Sequence, residues 1–439
     1  MARWKSTPLR AALSRMFPKM MLERSAREAG VVRRRRRVEV VALFWVLLLT
    51  LDTRGKRTFA DLRRSYEKVT GTRLSSSSFQ QRFSPAFARW LRQLVAAKLA
   101  VVAKQPGGTR PLWGQIRDVL CIDSTVVRLH DALARALPAC RTNHTQAAAK
   151  LHIVLNVRGQ GPQSIKLTSE RVHDGPVLRA GCWVRKRLLL FDLGYFSYRL
   201  FANIDREGGF FLTRLKEHAN PTIVRLHRTH RGRAVPAEGR GLQEVKGQLR
   251  REVFDAEAEL HFHRRSYAGR RAGAHLRVRL VGLRDDVHGG YHWYVTNLPP
   301  DLVPAEEIGK LYSARCAIEL LFREMKSCYQ LESIPSRKRP AVEAFLYAAV
   351  LTLFASHALR RAVRRWGNLG NRRLPLERWG RLVASAAAEL LAIILDAAAM
   401  AHCREKRLLS FFAAEAPDPN LHRPHLLEPS RTGLCGLSA

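Results

Sequence analysis

The sequence predicts an α/β protein in which a β-rich segment interrupts the α/β core, with helical regions on both sides. Three observations carry that prediction. Between residues 109 and 219, short apolar and β-branched runs alternate with helical stretches, the order of an α/β core. Residues 220–300 then give strand-like segments parted by glycine-rich turns. Residues 1–108 and 339–415 read as helical, and 301–338 contain a further helix that returns the chain to the core. Residues 416–439, rich in proline and histidine, read as a loose tail.

Composition narrows the class of partner. The chain has 439 residues, 46% of them hydrophobic, enough for a substantial core. Lys and Arg total 76 against 37 Asp and Glu, a formal charge of +39 that favours a polyanion. Seven scattered cysteines without a CxxC pair argue against a disulfide framework or a zinc site and fit a reducing cytoplasm. Paired histidines such as His261 and His263 lack acidic or cysteine partners at ligand spacing and read as surface residues. The basic N-terminal stretch has no apolar core of a signal peptide. Val38–Leu49 and Ala344–Leu359 are expected to be buried helices, with no membrane partner. The absence of a GxxxxGK[ST] loop argues against a nucleotide-driven motor.

Along the N-terminal region, Arg33–Arg37 is either a solvated charge run or a contact to phosphates. Thr58 is placed to cap one helix, Gly71 to break it and a serine of Ser75–Ser78 to cap the next. That outline resembles a helix–turn–helix, with Gln80, Gln81 and Arg82 as DNA readers. Pro106–Gly108 marks a boundary.

Beyond it, Val119–Ile122 is an apolar run ending on Asp123, and Leu188–Phe191 a second one ending on Asp192. Lys150–Val157 and Ser164–Thr168 are further strands, Asp174–Val184 a helical piece, Ser197–Arg206 a helix and Gly209–Leu215 a strand. A lone aspartate after a strand is more often a turn residue. Two in similar settings make a better pair of ligands, because a buried strand can fix a carboxylate at the sheet's edge.

The third carboxylate comes from Leu311–Gln330, read as one helix. Tyr312, Arg315, Glu319 and Lys326 fall at roughly 0°, 300°, 340° and 320° around it, with Arg323 near 20°. Apolar residues centre on the opposite side, which by itself describes any amphipathic helix. Cations clustered about one carboxylate also suit a metal–phosphate site. Glu324, near 120°, and Glu332, near 200°, miss that face, so Glu319 is the carboxylate to join Asp123 and Asp192. Carboxylates suit Mg²⁺ or Mn²⁺, and such ions in pairs activate a water or 3′-hydroxyl at a phosphodiester.

The pattern Tyr312-x2-Arg315-x3-Glu319-x6-Lys326, with Ile122-Asp-Ser-Thr125 and Phe191-Asp-Leu-Gly-Tyr-Phe196, resembles the DDE transposases of bacterial insertion sequences, specifically the IS-four family. The resemblance covers about residues 115–335. It implies an RNase H-like catalytic core interrupted by a β-rich insertion. It also implies Mg²⁺-dependent cleavage at transposon ends, with Mn²⁺ able to substitute, and attack of a 3′-hydroxyl on target DNA. By the same resemblance Asp123, Asp192 and Glu319 bind metal, while Tyr312, Arg315 and Lys326 hold DNA; Arg323 joins the DNA-binding set by its place on the same helix face. Trp293, or His292 beside it, falls where the family places an aromatic against an extruded base; a core tryptophan is the alternative. Cys316 departs from the tryptophan common after the arginine. The implied partners are terminal inverted repeats and target DNA, bound by a homodimer at the bacterial nucleoid. A metal-dependent nuclease of the same fold, or a DNA-binding derivative without catalysis, is the alternative function.

Overall fold

The computed structural model describes residues 8–32, 39–51, 57–104, 115–140, 145–157, 161–228, 236–263, 273–285, 289–332, 334–370, 372–395 and 400–420. Arg33–Arg37, Pro106–Gly108 and the tail from 421 onward lie outside them.

Among the described residues nine strands form one sheet. In chain order they are β1 (Asp118–Leu129), β2 (Ala147–Asn156), β3 (Gly161–Ser169), β4 (Arg187–Phe191), β5 (Phe210–Arg214), β6 (Thr222–Leu226), β7 (Val253–His263), β8 (Gly273–Arg284) and β9 (Tyr291–Thr296). Their spatial order is β3-β2-β1-β4-β5-β9-β8-β7-β6. β1, β4 and β5 run parallel, while β2 and β3 are antiparallel additions on one side. The strands of 220–300 do not form a sheet of their own. β9 pairs with β5, Leu212 opposite Thr296, and β8, β7 and β6 follow, each antiparallel to the one before.

Two expectations about these elements need correcting. β1 does not stop at Asp123 but runs six residues further, paired with β2 from Ser124↔His152 to Leu129↔Ala147. The β-branched residues Thr125, Val126 and Val127 sustain it. The helical piece 174–184 shrinks to one turn, Asp174–Val177, and a 3₁₀ turn, Cys182–Val184. Gly175, Pro176 and Gly181 explain its brevity.

Alternation along β1 divides the sheet into two faces. Val119, Cys121 and Val127 enter one core with the helices from both chain ends. Leu120 and Ile122 enter the other, with helix Tyr198–Arg206 and the inner residues of β7 and β8. The first core surrounds helix Arg339–Trp366, which packs on helices Pro8–Met16, Val40–Leu49 and Pro85–Lys104. This 28-residue helix is long and apolar enough to cross a membrane, but 94% of its most apolar window is buried inside the protein. Thr352 donates from it to the Leu48 carbonyl at 3.1 Å, and the rings of Phe345 and Phe83 stack 5.5 Å apart.

The expected caps form, but the helix–turn–helix outline is abbreviated. Thr58 and Asp61 make a capping box on helix Phe59–Thr70, which ends at Gly71 with a φ of 69°. Ser75 then caps a helix of only five residues, Ser76–Gln80. Gln80 and Gln81 are exposed.

Helices Pro8–Met16 and Met400–Glu415 are joined by a buried carboxylate. Glu405, on helix Met400–Glu415, accepts from the Leu9 and Arg10 backbone N–H groups at 2.6 and 3.1 Å, so it caps helix Pro8–Met16. Glu405→Ala leaves two N–H groups without their partner and should cost about 1–3 kcal/mol. A lower urea midpoint checks this; Glu405→Gln, which still accepts, should lose less.

Candidate active site

Strand register brings the two aspartates together. Ile122 on β1 is opposite Phe191, the last residue of the parallel β4, so Asp123 on β1 and Asp192 just past the end of β4 each follow that pair. Asp123 sits where the β1–β4 pairing stops, and the Ser124 N–H donates to its Oδ1 at 2.7 Å.

The third carboxylate arrives on a helix broken at a functional residue. Residues 311–330 are not one helix of constant pitch. Helices Ala305–Ser313 and Cys316–Ser327 meet at a tightened turn whose N–H groups bond three residues back, including Arg315 N to Tyr312 O at 3.0 Å and Ile318 N to Arg315 O at 3.1 Å. Such bonds turn the chain by about 120° per residue, which spoils the uniform wheel. The Cys121 thiol donates to the Ala314 carbonyl at 3.3 Å and ties this turn to β1. Tyr312 is consequently buried, its hydroxyl reaching the Phe191 carbonyl at 3.4 Å. The helix ends at Ser327, and Gln330 beyond it has a φ of 54°.

Arg315 stands among the carboxylates. Its Nη1 donates to Asp123 Oδ2 at 3.3 Å and its Nη2 to Glu319 Oε1. Burial pushes the Asp123 carboxyl up to about 6; its Ser124 hydrogen bond and Arg315 oppose that, and the charges of Asp192 and Glu319 add to it. Burial also pushes the Tyr312 phenol up to about 12, so it stays a protonated donor at neutral pH.

The raised Asp123 value has a definite sign in stability. Its folded pKa lies above its unfolded value, so this group stabilises the metal-free protein below pH 4 or so and loses that contribution as pH rises through about 6. Relative to Asp123→Asn, the wild type should lose roughly 2–3 kcal/mol of stability between those limits, as read by chemical denaturation in chelator.

The remaining sequence candidates do not meet at this centre. Lys326 pairs with Glu332 at 2.6 Å, and exposed Arg323 with Glu377 at 3.8 Å. Glu324 is fully buried, accepting from the Tyr329 hydroxyl at 2.6 Å and facing His357 Nε2 at 3.2 Å. Trp293, open in the sequence between a base contact and the core, is a core residue here. It is 7% exposed, packed edge-on to Phe254 and lying against Gly282, where an added Cβ would stand 2.7 Å from the ring. Its place on β9 turns it inward with Val295, while His292 faces out and pairs with Asp285 at 3.1 Å.

Several neighbours escaped the sequence reading. Asp174 accepts from the Ser124 hydroxyl at 2.9 Å and pairs with Lys150 at 3.3 Å. It also lies under Gly194, where an added Cβ would stand 3.1 Å from its Oδ2. His152 Nδ1 is 3.2 Å from the Tyr195 hydroxyl, and burial pushes this imidazole down to about 4, leaving it neutral at pH 7. The signal was present: Lys150 and His152 are alternate polar residues in the otherwise apolar run KLHIVL, and both are buried. Arg214, at the end of β5, lies 5.8 Å from the Tyr312 ring centre.

The donor chemistry fits a hard divalent cation. Asp123, Asp192 and Glu319 offer only carboxylate oxygens and already gather about a cation, the guanidinium of Arg315. Among the described residues no three His, Cys, Asp or Glu side chains converge closely enough to hold a metal. Arg315 stands between two of the carboxylates, bonded to Asp123 and to Glu319.

Comparison with known proteins points the same way. A family model described as "Transposase DDE domain" matches residues 114–355. The chain is 22% identical over 382 residues to the "Transposase for insertion sequence element IS231F" of Bacillus thuringiensis subsp. israelensis, covering 79% of this chain and 78% of that protein. It is likewise 22% identical over 370 residues to the IS231D transposase of Bacillus thuringiensis subsp. finitimus, covering 76% of each.

Proposed function

Since the chain belongs to the DDE transposase family, we propose that Asp123, Asp192 and Glu319 are its catalytic carboxylates, cutting insertion-sequence ends and joining them to target DNA. It is a transposase, an enzyme that acts on DNA. The observation that carries the assignment of residues is the parallel register that sets Asp123 beside Asp192, with Arg315 bonded to both Asp123 and Glu319.

The order β3-β2-β1-β4-β5, with β1, β4 and β5 parallel, supports reading residues 109–219 and 301–338 as an RNase H-like core. Residues 220–300 are then an insertion that lengthens its sheet, with helical regions 1–108 and 339–415 packed together beneath. Mg²⁺ is the proposed cofactor, and Mn²⁺ its substitute. When bound, such an ion supplies Lewis-acid charge to the attacking and leaving oxygens of the phosphodiester.

The chain's own groups do the rest. Arg315 neutralises the carboxylates in the resting protein, then turns to a DNA phosphate as they close, exchanging one set of charge-assisted hydrogen bonds for another. Tyr312, protonated and half-enclosed by Arg214 and Arg315, is a hydrogen-bond donor held at the floor of the site. Lys326 and Arg323, exposed in part and paired only at the surface, are available to the flanking backbone. The proposed substrate is double-stranded DNA bearing terminal inverted repeats, engaged by a homodimer at the bacterial nucleoid.

The test is direct. Purified protein, Mg²⁺ and a duplex carrying the repeats that flank the gene should yield strand-transfer product joined to target DNA. Nicks without joined product would instead support a nuclease of the same fold.

A further inference from the structure

A cavity of about 420 Å³ opens between helices Pro8–Met16, Pro85–Lys104 and Arg339–Trp366 and the start of β3 at Gly161. Among its described lining residues four are cations, Arg15, Lys98, Arg361 and Arg365, and none is a carboxylate. At its wall, His357 is buried and engaged with Glu324 at 3.2 Å.

None of the four cations has an acidic partner among the described residues, in contrast to Arg24 with Glu28 or Arg339 with Glu343 on the same kind of helix. Lys98 lies over the Phe17 ring at 5.0 Å, and Arg365 Nε donates only to the Arg361 carbonyl, at 3.4 Å. Burial lowers the Lys98 pKa. Partial burial and the charge of Arg365 lower the Arg361 pKa too, although that side chain keeps an exposed surface. Like charges held around one concavity without counter-charge are a standing repulsion, which an anion relieves.

We propose that this cavity is a phosphate-binding site outside the carboxylate centre, and that it takes backbone phosphates of DNA. The phosphate chemistry follows from the cavity alone; DNA as the source rests on the function proposed above. The site lies at the edge of the sheet. Gly161 is paired with Asn156, and Asn156 with Leu120 on β1, three residues before Asp123. Its cations come from three helices of the two terminal regions, so bound DNA would be held by both regions at once.

Arg15→Gln with Arg361→Gln tests this, since both side chains are exposed and lie outside the catalytic set. Affinity for a duplex without transposon ends is measured over a KCl series with the full chain. Loss of two phosphate contacts should flatten the slope of log K against log salt by roughly 1.8, and Arg361→Lys should restore its share. Should the double variant melt early, Arg365→Gln alone should flatten the slope by roughly 0.9.

A second arm follows thermal stabilisation by inorganic pyrophosphate. An unchanged DNA slope, with pyrophosphate stabilisation lost in the variant, would assign the cavity to a free phosphorylated ligand and overturn DNA as its source. An unchanged slope and no pyrophosphate effect would overturn the site altogether. An unchanged slope in a chain that still joins ends sinks this inference alone. A flattened slope in a chain that never joins them upholds it and sinks the catalytic reading.

Discussion

Asp192→Asn is expected to suppress both end cleavage and strand transfer by about 10³-fold or more, equivalent to about 4 kcal/mol of barrier, while leaving binding of DNA ends within a few-fold of wild type. Asp192 is the most informative of the three carboxylates to change. Asp123 and Glu319 are both bonded to Arg315, so changing either also frees a guanidinium. Asp192 follows Phe191, opposite the residue before Asp123, without that bond, and the substitution keeps its shape. Its effect therefore reads the loss of one charged donor. Cleavage of labelled end duplexes in Mg²⁺, beside a gel-shift measurement on the same DNA, separates chemistry from binding. Wild-type cleavage by Asp192→Asn would remove it from the catalytic set.

The second large effect is on stability. Asp255 and Arg279 form a buried bidentate pair, Nε to Oδ1 at 2.8 Å and Nη2 to Oδ2 at 2.7 Å. The remaining Nη1 donates to the Val303 carbonyl at 2.7 Å, just before helix Ala305–Ser313. Asp255→Ala strands a buried guanidinium and should cost about 3–5 kcal/mol, whereas replacing both partners with apolar residues of similar volume should recover much of it. Denaturant midpoints of the two variants test that contrast. Hydrogen exchange adds a local readout: residues 298–304 should lose protection first, because the pair fastens β7 and β8 to the segment that leads to Tyr312 and Glu319.

How much of this was legible in the sequence depended on how local the cause was. Apolar runs and caps depend on near neighbours, so the strand ending before Asp192 and the cap at Thr58 could be read directly. The merging of residues 220–300 into one sheet could not. It is decided by β9 lying against β5, a pairing between residues some eighty positions apart. The wheel over 311–330 placed Arg315 and Glu319 side by side correctly, because they are four residues apart. It failed to anticipate buried Tyr312, because the tightened turn at Arg315 is held by Cys121 of β1. Trp293 shows the same limit in reverse. A resemblance in sequence placed an aromatic near DNA, whereas its neighbours on β8 turn it into the core.

The bond between Glu405 and the start of helix Pro8–Met16 spans 396 positions. A ribosome adding about 5–20 residues per second needs roughly 20–80 s to cover that distance. Throughout that interval the first helix exists without its acceptor, and Arg339–Trp366, on which it packs, has for most of it not been made. The amphipathic N-terminal segments therefore emerge early and wait, with apolar faces open to whatever meets a nascent chain.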